Sequence, residues 1–395
     1  MSDFLISRQI LINRQNKVIA TRLTLHLEAS SEMTLVAQWL NDLLELWPQG
    51  EKLLFVCFAL APTTSPSYRA LLDCALPENI ILELPSTPFV DADSAEFVAA
   101  LVAKQWPLCL SFDEDAGRAL ARGLSFRFID FDAQRFNPEQ LAILTAKTQA
   151  YGIALAHNVA HVSAFKACLD AGVSAAAGWF LKHPETPRSK TLSPEYTQII
   201  NVLNLVREGA DVKQVESALK NNVTLSYKLL RYINSAGFGL SCEIQSFRHA
   251  VSILGYAQLN KWLSLLLATA SKDPMAPALM YAALTRARLM ELLGHGLVDA
   301  EEYDNLFIIG AFSLLDVLLG VDMEQVLDAM NLPDSVADAL LGKAGCYTPF
   351  LQLAIACEAE DTQHLSSLAN SLGVSPSRLN QAHLEALVFA ANAEE

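Results

Sequence analysis

Short apolar runs alternate with amphipathic stretches from residue 53 to 181, the pattern of a parallel sheet whose strands are joined by crossover helices. The runs are 53–60, 80–84, 108–112, 126–131, 153–156 and 175–181, with helix candidates between them at 65–75, 91–103, 116–122, 138–150 and 162–171. Two earlier strands, near 4–12 and 17–28, bring the count to eight. The pattern predicts an α/β fold, a compact (β/α) barrel, although the segment is shorter than the ~250 residues usual for that architecture. The stretch Lys182-His183-Pro184-Glu185-Thr186-Pro187-Arg188-Ser189-Lys190 is polar and twice interrupted by proline, so it neither continues a helix nor pairs centrally in a sheet. Beyond it the signal changes to helix throughout. Leu225, Leu229, Tyr232 and Ile233 fall at i, i+4, i+7 and i+8 of one face. Similar faces recur at 197–206, 211–219, 246–270, 278–293, 303–319, 323–330, 334–341, 348–358, 362–372 and 376–393. The reading is a barrel over 1–183, a linker over 184–196 and an all-helical domain over 197–395.

Composition supports two cores, since 52% of the 395 residues are hydrophobic. The longer uncharged runs, Trp262–Ala270 and Leu306–Leu315, fall far short of the ~20 residues of a membrane span. The opening Met1-Ser2-Asp3-Phe4 lacks a basic segment followed by an apolar one, so no signal peptide and no membrane attachment are expected. Seven cysteines (57, 74, 109, 168, 242, 346 and 357) show no Cys-x-x-Cys spacing and predict buried, reduced thiols in a cytoplasmic protein. Net charge is −15, with 16 basic against 20 acidic residues in 1–190 and 12 against 23 in 191–395. That sign argues against non-specific nucleic-acid binding, which needs a cationic surface.

The opening strands, from Arg8-Gln9 through Lys17-Val18-Ile19-Ala20-Thr21-Arg22-Leu23-Thr24, resemble those of the EAL family, the cyclic-di-GMP phosphodiesterases. Such enzymes hold two divalent cations on carboxylates and polar ligands at strand ends, and the cations activate water for attack on the phosphodiester. By this resemblance the motif glutamate falls on Arg22, the strand asparagine on Cys57 and the next carboxylate on Glu83. Paired aspartates fall near Ser111-Phe112, with Asp113 and Asp115 just beyond. A lysine becomes Phe128, ahead of Ile129-Asp130, while a late glutamate becomes His157 and a glutamine becomes Ala177. Glu83 and Asp130 therefore remain from a largely lost metal shell. A guanidinium stays charged and disfavours a neighbouring metal ion. Arg22 is expected either to pair with Glu83 or Asp130 or to meet a ligand phosphate in bidentate fashion.

The helical half resembles an HDOD domain over nearly all of 195–390. The resemblance is carried by 203–211, by 226–239 with Ser226-Tyr227-Lys228-Leu229-Leu230-Arg231, by 244–255 and by 310–320. The related HD phosphohydrolases need an adjacent His-Asp pair, and none of the eight histidines (26, 157, 161, 183, 249, 295, 364 and 383) precedes an aspartate. Together the resemblances imply a bacterial signalling protein with a degenerate barrel and no metal or other cofactor. It would work by protein contact in cyclic-di-GMP control of motility, biofilm or virulence. A metal-independent cyclic-di-GMP sensor is the alternative, and a residual metal-dependent phosphodiesterase a third reading.

Several smaller constellations have plainer accounts. His157 and His161, four apart, would share a helix face as metal ligands, but they follow a strand and read as loop residues. Glu385-Ala386-Leu387 repeats the family letters inside a helical pattern and carries no strand signal. Asp113-Glu114-Asp115 suits a hard cation, or equally the first turn of the helix after it. Gly237-Phe238-Gly239 reads as a turn between helices. Lys228, Arg231, Arg248 and Lys261 form a candidate cationic surface for an acidic protein partner, with solvated helix faces as the plainer account.

Overall fold

The computed structural model describes residues 4–27, 33–48, 52–59, 69–122, 124–182, 189, 191–220, 255–256, 259–261, 263–264, 267, 271 and 273–392. They fall into two compact units. The first joins Met1–Pro184 to Ala356–Gln381, and the second joins Glu185–Ile355 to Ala382–Glu395.

Eight strands close the barrel of the first unit: β1 (Leu5–Asn13), β2 (Val18–His26), β3 (Leu53–Phe58), β4 (Ile80–Leu84), β5 (Leu108–Ser111), β6 (Phe128–Asp132), β7 (Ile153–His157) and β8 (Ala175–Ala177). β1 runs antiparallel to both β2 and β8, and every other neighbouring pair is parallel. A tight loop allows that reversal. Asn16 sits at φ 60°, and the Asn13 side chain accepts from the backbone N–H of Gln15 and Lys17, each at 3.0 Å. The remaining connections carry helices, including Pro138–Thr148. Its start is fixed by a reciprocal capping box between Asn137 and Gln140 with proline in the first turn.

Side chains alternate along each strand, so inward positions repeat every second residue. Leu11, Ala20, Phe55, Ile81, Cys109, Phe128, Leu155, Ala175 and Ala177 form one buried apolar cluster inside the barrel. Two residues further toward the C-terminal ends, β2, β3, β4, β5, β6 and β7 present Arg22, Cys57, Glu83, Ser111, Asp130 and His157. The change from oil to charge within one pleat repeat defines the candidate site. At its rim, a Cβ on Gly178 would lie 2.2 Å from the Val159 carbonyl oxygen, so only glycine lets the end of β8 approach the loop after β7.

The strand and helix candidates of 53–171 are all present, most of them shortened. The run 175–181 is not one strand: β8 ends at Ala177 and a 3₁₀ turn, Phe180–Lys182, follows. The helix Met33–Leu46 was not among the candidates, although Met33, Val36, Ala37, Leu40 and Leu43 trace a buried helical stripe.

The second unit contains helices Pro194–Arg207, Val212–Lys220, Ala276–Gly294, Tyr303–Phe312, Leu315–Leu319, Met323–Asp328, Asp334–Leu340 and Thr348–Ala356, the last reaching the unit boundary. Most of the face predicted at 246–270, and all of 226–239, lie outside the described residues. The single face predicted over 303–319 breaks at Ser313 and Leu314. Gly310 lets two helices touch, because a Cβ there would sit 2.4 Å from Ala287 Cα. No helix among the described residues is long and apolar enough to cross a membrane.

One boundary differs from the sequence reading. Residues 197–395 were assigned wholly to the helical domain, but Ala356–Gln381, with its helix Thr362–Ser371, belongs to the barrel unit. The reason is electrostatic as well as apolar. Glu358 is buried against two barrel cations, Arg8 at 2.8 Å and Lys182, and Arg8 N–H donates to the Cys357 carbonyl at 2.8 Å. The expected linker is also shorter, since the helix starting at Pro194 begins within it.

Candidate functional site

Arg22 is the centre of the charged layer, and each of its five N–H donors has an acceptor. Nε and Nη2 grip the two oxygens of Glu83 at 2.8 and 2.7 Å, a bidentate pair between fully enclosed side chains. The second Nη2 proton points at Cys57 Sγ, 3.1 Å away. Nη1 reaches Thr24 Oγ1 at 3.0 Å and Glu360 Oε1 at 3.3 Å. Ser111 Oγ adds a 3.0 Å hydrogen bond to Glu83 Oε1. Asp130 stands 3.9 Å from Arg22 Nε and is paired instead with His157 Nδ1.

These contacts set the protonation states. Burial works against the Arg22 charge, but Cys57, Glu83 and Asp130 around it hold the guanidinium even more firmly protonated than usual. Burial alone would raise the Glu83 carboxyl. The adjacent guanidinium overrides it and holds Glu83 at about 2. Burial pushes Asp130 up against the pull of His157, while Asp130 lifts His157 above its ordinary value despite burial. The Cys57 thiol is driven well up by burial, so it is an uncharged neighbour rather than a thiolate nucleophile.

The arrangement was tested against the pair of divalent cations implied by the family resemblance. Glu83 gives both oxygens to Arg22 and one also to Ser111, and a full positive charge lies within hydrogen-bond distance of it. Asp130 is engaged by an imidazole. Among the described residues, no group of three or more His, Cys, Asp or Glu side chains is arranged to hold a metal ion. The donors that survive do not fit a dinuclear metal centre unless Arg22 leaves.

Of the seven pocket residues inferred from the sequence, Arg22, Cys57, Glu83, Asp130 and His157 converge at this layer. Phe128 and Ala177 do not: they belong to the apolar cluster one pleat repeat below, where Phe128 packs edge-on against Phe55 at 5.1 Å. His157 is the last residue of β7 rather than a loop residue, and His161 is the N-cap position of the helix Val162–Asp170, so the two share no helix face. Asp113 accepts from the backbone and hydroxyl of Ser86 and from Asp115 N–H, tying two loops together. Glu385-Ala386-Leu387 lies within the helix Pro376–Asn392. Lys261 pairs with Glu291 at 2.8 Å and Asp304 at 2.7 Å and sits over the Phe307 ring, so its charge is used within its own unit. Lys228, Arg231, Arg248 and Gly237-Phe238-Gly239 lie outside the described residues.

Two site residues left no trace in the sequence reading. Thr24 is simply the next inward position after Arg22. Glu360 arrives from more than three hundred residues away in a segment read as part of another domain, and nothing local marks it.

Comparison with known proteins fits this architecture. A family model described as the HDOD domain matches residues 191–298, a shorter span than the 195–390 of the resemblance, and the chain carries that domain behind its eight-stranded closed barrel. An uncharacterized protein of Bacillus subtilis, YuxH, is 26% identical over 417 residues, covering 98% of each chain. The cyclic di-GMP phosphodiesterase CdgJ of Vibrio cholerae is 30% identical over 233 residues, 59% of this chain and 54% of that protein. Among solved structures, the FimX EAL domain of Xanthomonas citri in complex with c-diGMP is 22% identical with a TM-score of 0.35, covering 45% of this chain and 87% of that one. The EAL enzyme Bd1971 in its cAMP-bound form is 14% identical with a TM-score of 0.38, covering 45% and 62%.

Proposed function

We propose that this chain is a cytoplasmic regulatory protein of cyclic-di-GMP signalling. Its barrel does not hydrolyse the dinucleotide, and its two units act by binding a protein partner in the control of motility, biofilm or virulence. The signalling context is supported by the HDOD match and by the names of relatives that hydrolyse or bind cyclic-di-GMP. The observation that carries the loss of turnover is Arg22. Its guanidinium lies between Glu83, Cys57, Thr24 and Glu360, where the family places a metal-binding glutamate, and takes both Glu83 oxygens for itself. Without a metal-activated water, a phosphodiester in this barrel has no nucleophile of adequate strength. Five of the described cysteines are buried and all six are free, as in a reducing compartment. The test is hydrolysis of cyclic-di-GMP with magnesium or manganese. No linear product is expected, and turnover that disappears in Glu83→Ala would overturn the reading and restore the residual hydrolase.

A second reading is favoured by one contact. Glu360 is 36% exposed and holds Arg22 through Nη1 at 3.3 Å, so a phosphate oxygen of cyclic-di-GMP can replace it without disturbing the buried fork on Glu83. In that version the barrel is a metal-independent sensor. Isothermal titration separates the two: heat that is lost in Arg22→Met supports the sensor, and no heat at high micromolar dinucleotide removes it.

A further inference from the structure

The second unit contains a cation, Arg207, whose terminal nitrogens are buried and, among the described residues, face no carboxylate. Arg207 is the last residue of the helix Pro194–Arg207. Its Nε donates to Asn260 Oδ1 at 2.9 Å, and its guanidinium carbon lies 5.4 Å from the centre of the Phe312 ring. Nη1 and Nη2 are buried and have no hydrogen-bond partner. Glu208, the adjacent carboxylate, is engaged by Asn331. Burial brings Arg207 down to about 10, and no anion offsets it. An unpaired charge of this kind costs stability, and a bound anion is one partner that would complete it.

Arg207 borders a cavity of about 740 Å³. Tyr256, Asn260, Asn305 and Asn331 supply the rest of its polar lining, and Ile308, Met330 and Val336 part of its apolar wall. The cavity is larger than an inorganic ion needs and lies within the range of small-molecule sites, which are mostly apolar with a few convergent polar groups. Tyr256 already gives its hydroxyl to the Ala210 carbonyl and Asn305 its amide to Glu302, so the walls are fixed while the cation is not. Nε is the guanidinium's hydrogen-bonded nitrogen, so turning the terminal nitrogens toward an incoming anion breaks one hydrogen bond and loosens the packing over Phe312.

We infer that this cavity is a binding site for a small organic anion, a carboxylate or phosphate ester on an apolar or aromatic body, with Arg207 as the anion-recognising residue. The full-length chain is titrated with phenyl phosphate and with benzoate, using benzyl alcohol as the neutral control, and binding is followed by chemical-shift changes and thermal protection. At least one anion binds and the alcohol does not, and Arg207→Met weakens the bound anion by about 10-fold or more, the usual worth of hydrogen bonds to a charged group. Which of the two anions binds more tightly assigns the headgroup. Arg207→Met is also expected to be as stable as the native chain or more so, because an unpaired buried charge gives way to an apolar stem. Anions binding no better than benzyl alcohol, or anion binding that survives Arg207→Met, would overturn the inference. If that variant does not fold, Arg207→Lys decides: a point charge in place of the planar fork weakens binding, and unchanged affinity again overturns it.

Discussion

Replacing Arg22 by alanine leaves Glu83, which has no solvent exposure, as a buried carboxylate held by the Ser111 hydroxyl and the Cys57 thiol but with no guanidinium against it. Breaking a buried ion pair by removing one partner costs about 3–5 kcal/mol, far more than the pair contributes relative to an apolar replacement. For a unit of this size that is a fall in Tm of about 6–20 °C. Four of the five tryptophans, Trp39, Trp47, Trp106 and Trp179, lie in the barrel unit, so urea denaturation followed by tryptophan fluorescence reports largely on it. The loss must depend on pH. In the native chain Glu83 is held at about 2, below its ordinary value of 4.5, so its stabilisation is complete above pH 4.5 and lost only as pH falls toward 2. Without Arg22, burial is the largest influence left and raises the carboxyl against the weaker pull of His157 and Cys57, so the variant instead loses stability as pH climbs through the carboxylate range. The gap between the two proteins therefore widens from pH 4 to pH 7. Adding Glu83→Leu to Arg22→Met should recover most of the loss, since an apolar pair of similar volume replaces the charges. A cost below about 1 kcal/mol at pH 7, with no pH dependence, would refute the view that the guanidinium compensates Glu83.

Further outcomes follow from the same contacts. Glu358→Gln should destabilise the barrel unit by about 2–4 kcal/mol by removing the buried charge that faces buried Arg8 and partly exposed Lys182, whereas Glu360→Gln, at a half-open position, should cost about 1 kcal/mol or less; equal effects in urea titrations would contradict the assigned burial. His157 and Asp130 are both raised in the fold, so their protons favour the folded state and stability should fall as pH rises through the elevated His157 value above 6.5; His157→Gln should flatten the Tm profile between pH 6 and 8. Gly310→Ala should lower the melting temperature of the helical unit while leaving the barrel transition unchanged, because its new methyl group meets Ala287 backbone rather than a movable side chain.

The barrel was legible because its signals are local. Short apolar runs such as Ile80–Leu84 and the Asn137–Pro138 start of a helix each specify one element whatever the rest of the chain does. Arg22, Glu83 and Asp130 were legible in another way, through the resemblance of the strands that carry them to the EAL family. The partners were not. Period two places Phe128 and Asp130 on the same face and cannot say that one lies in oil and the other beside a cation, which depends on how neighbouring strands are staggered. Glu358 and Glu360 sit in a helical-looking stretch, and no local property announces that their carboxylates answer Arg8, Lys182 and Arg22. Lys261 looked like a surface charge because Glu291 and Asp304 are distant in sequence.

The return of Ala356–Gln381 to the first unit places the larger part of the helical unit, Glu185–Ile355, between two segments of the barrel unit's chain. A ribosome delivers Arg8 and Lys182 long before their common counter-ion, so during synthesis the nascent barrel forms these two contacts only after residue 358 has emerged. Cutting the gene at the apparent boundary near residue 184 would therefore yield a permanently unfinished barrel rather than an independent half.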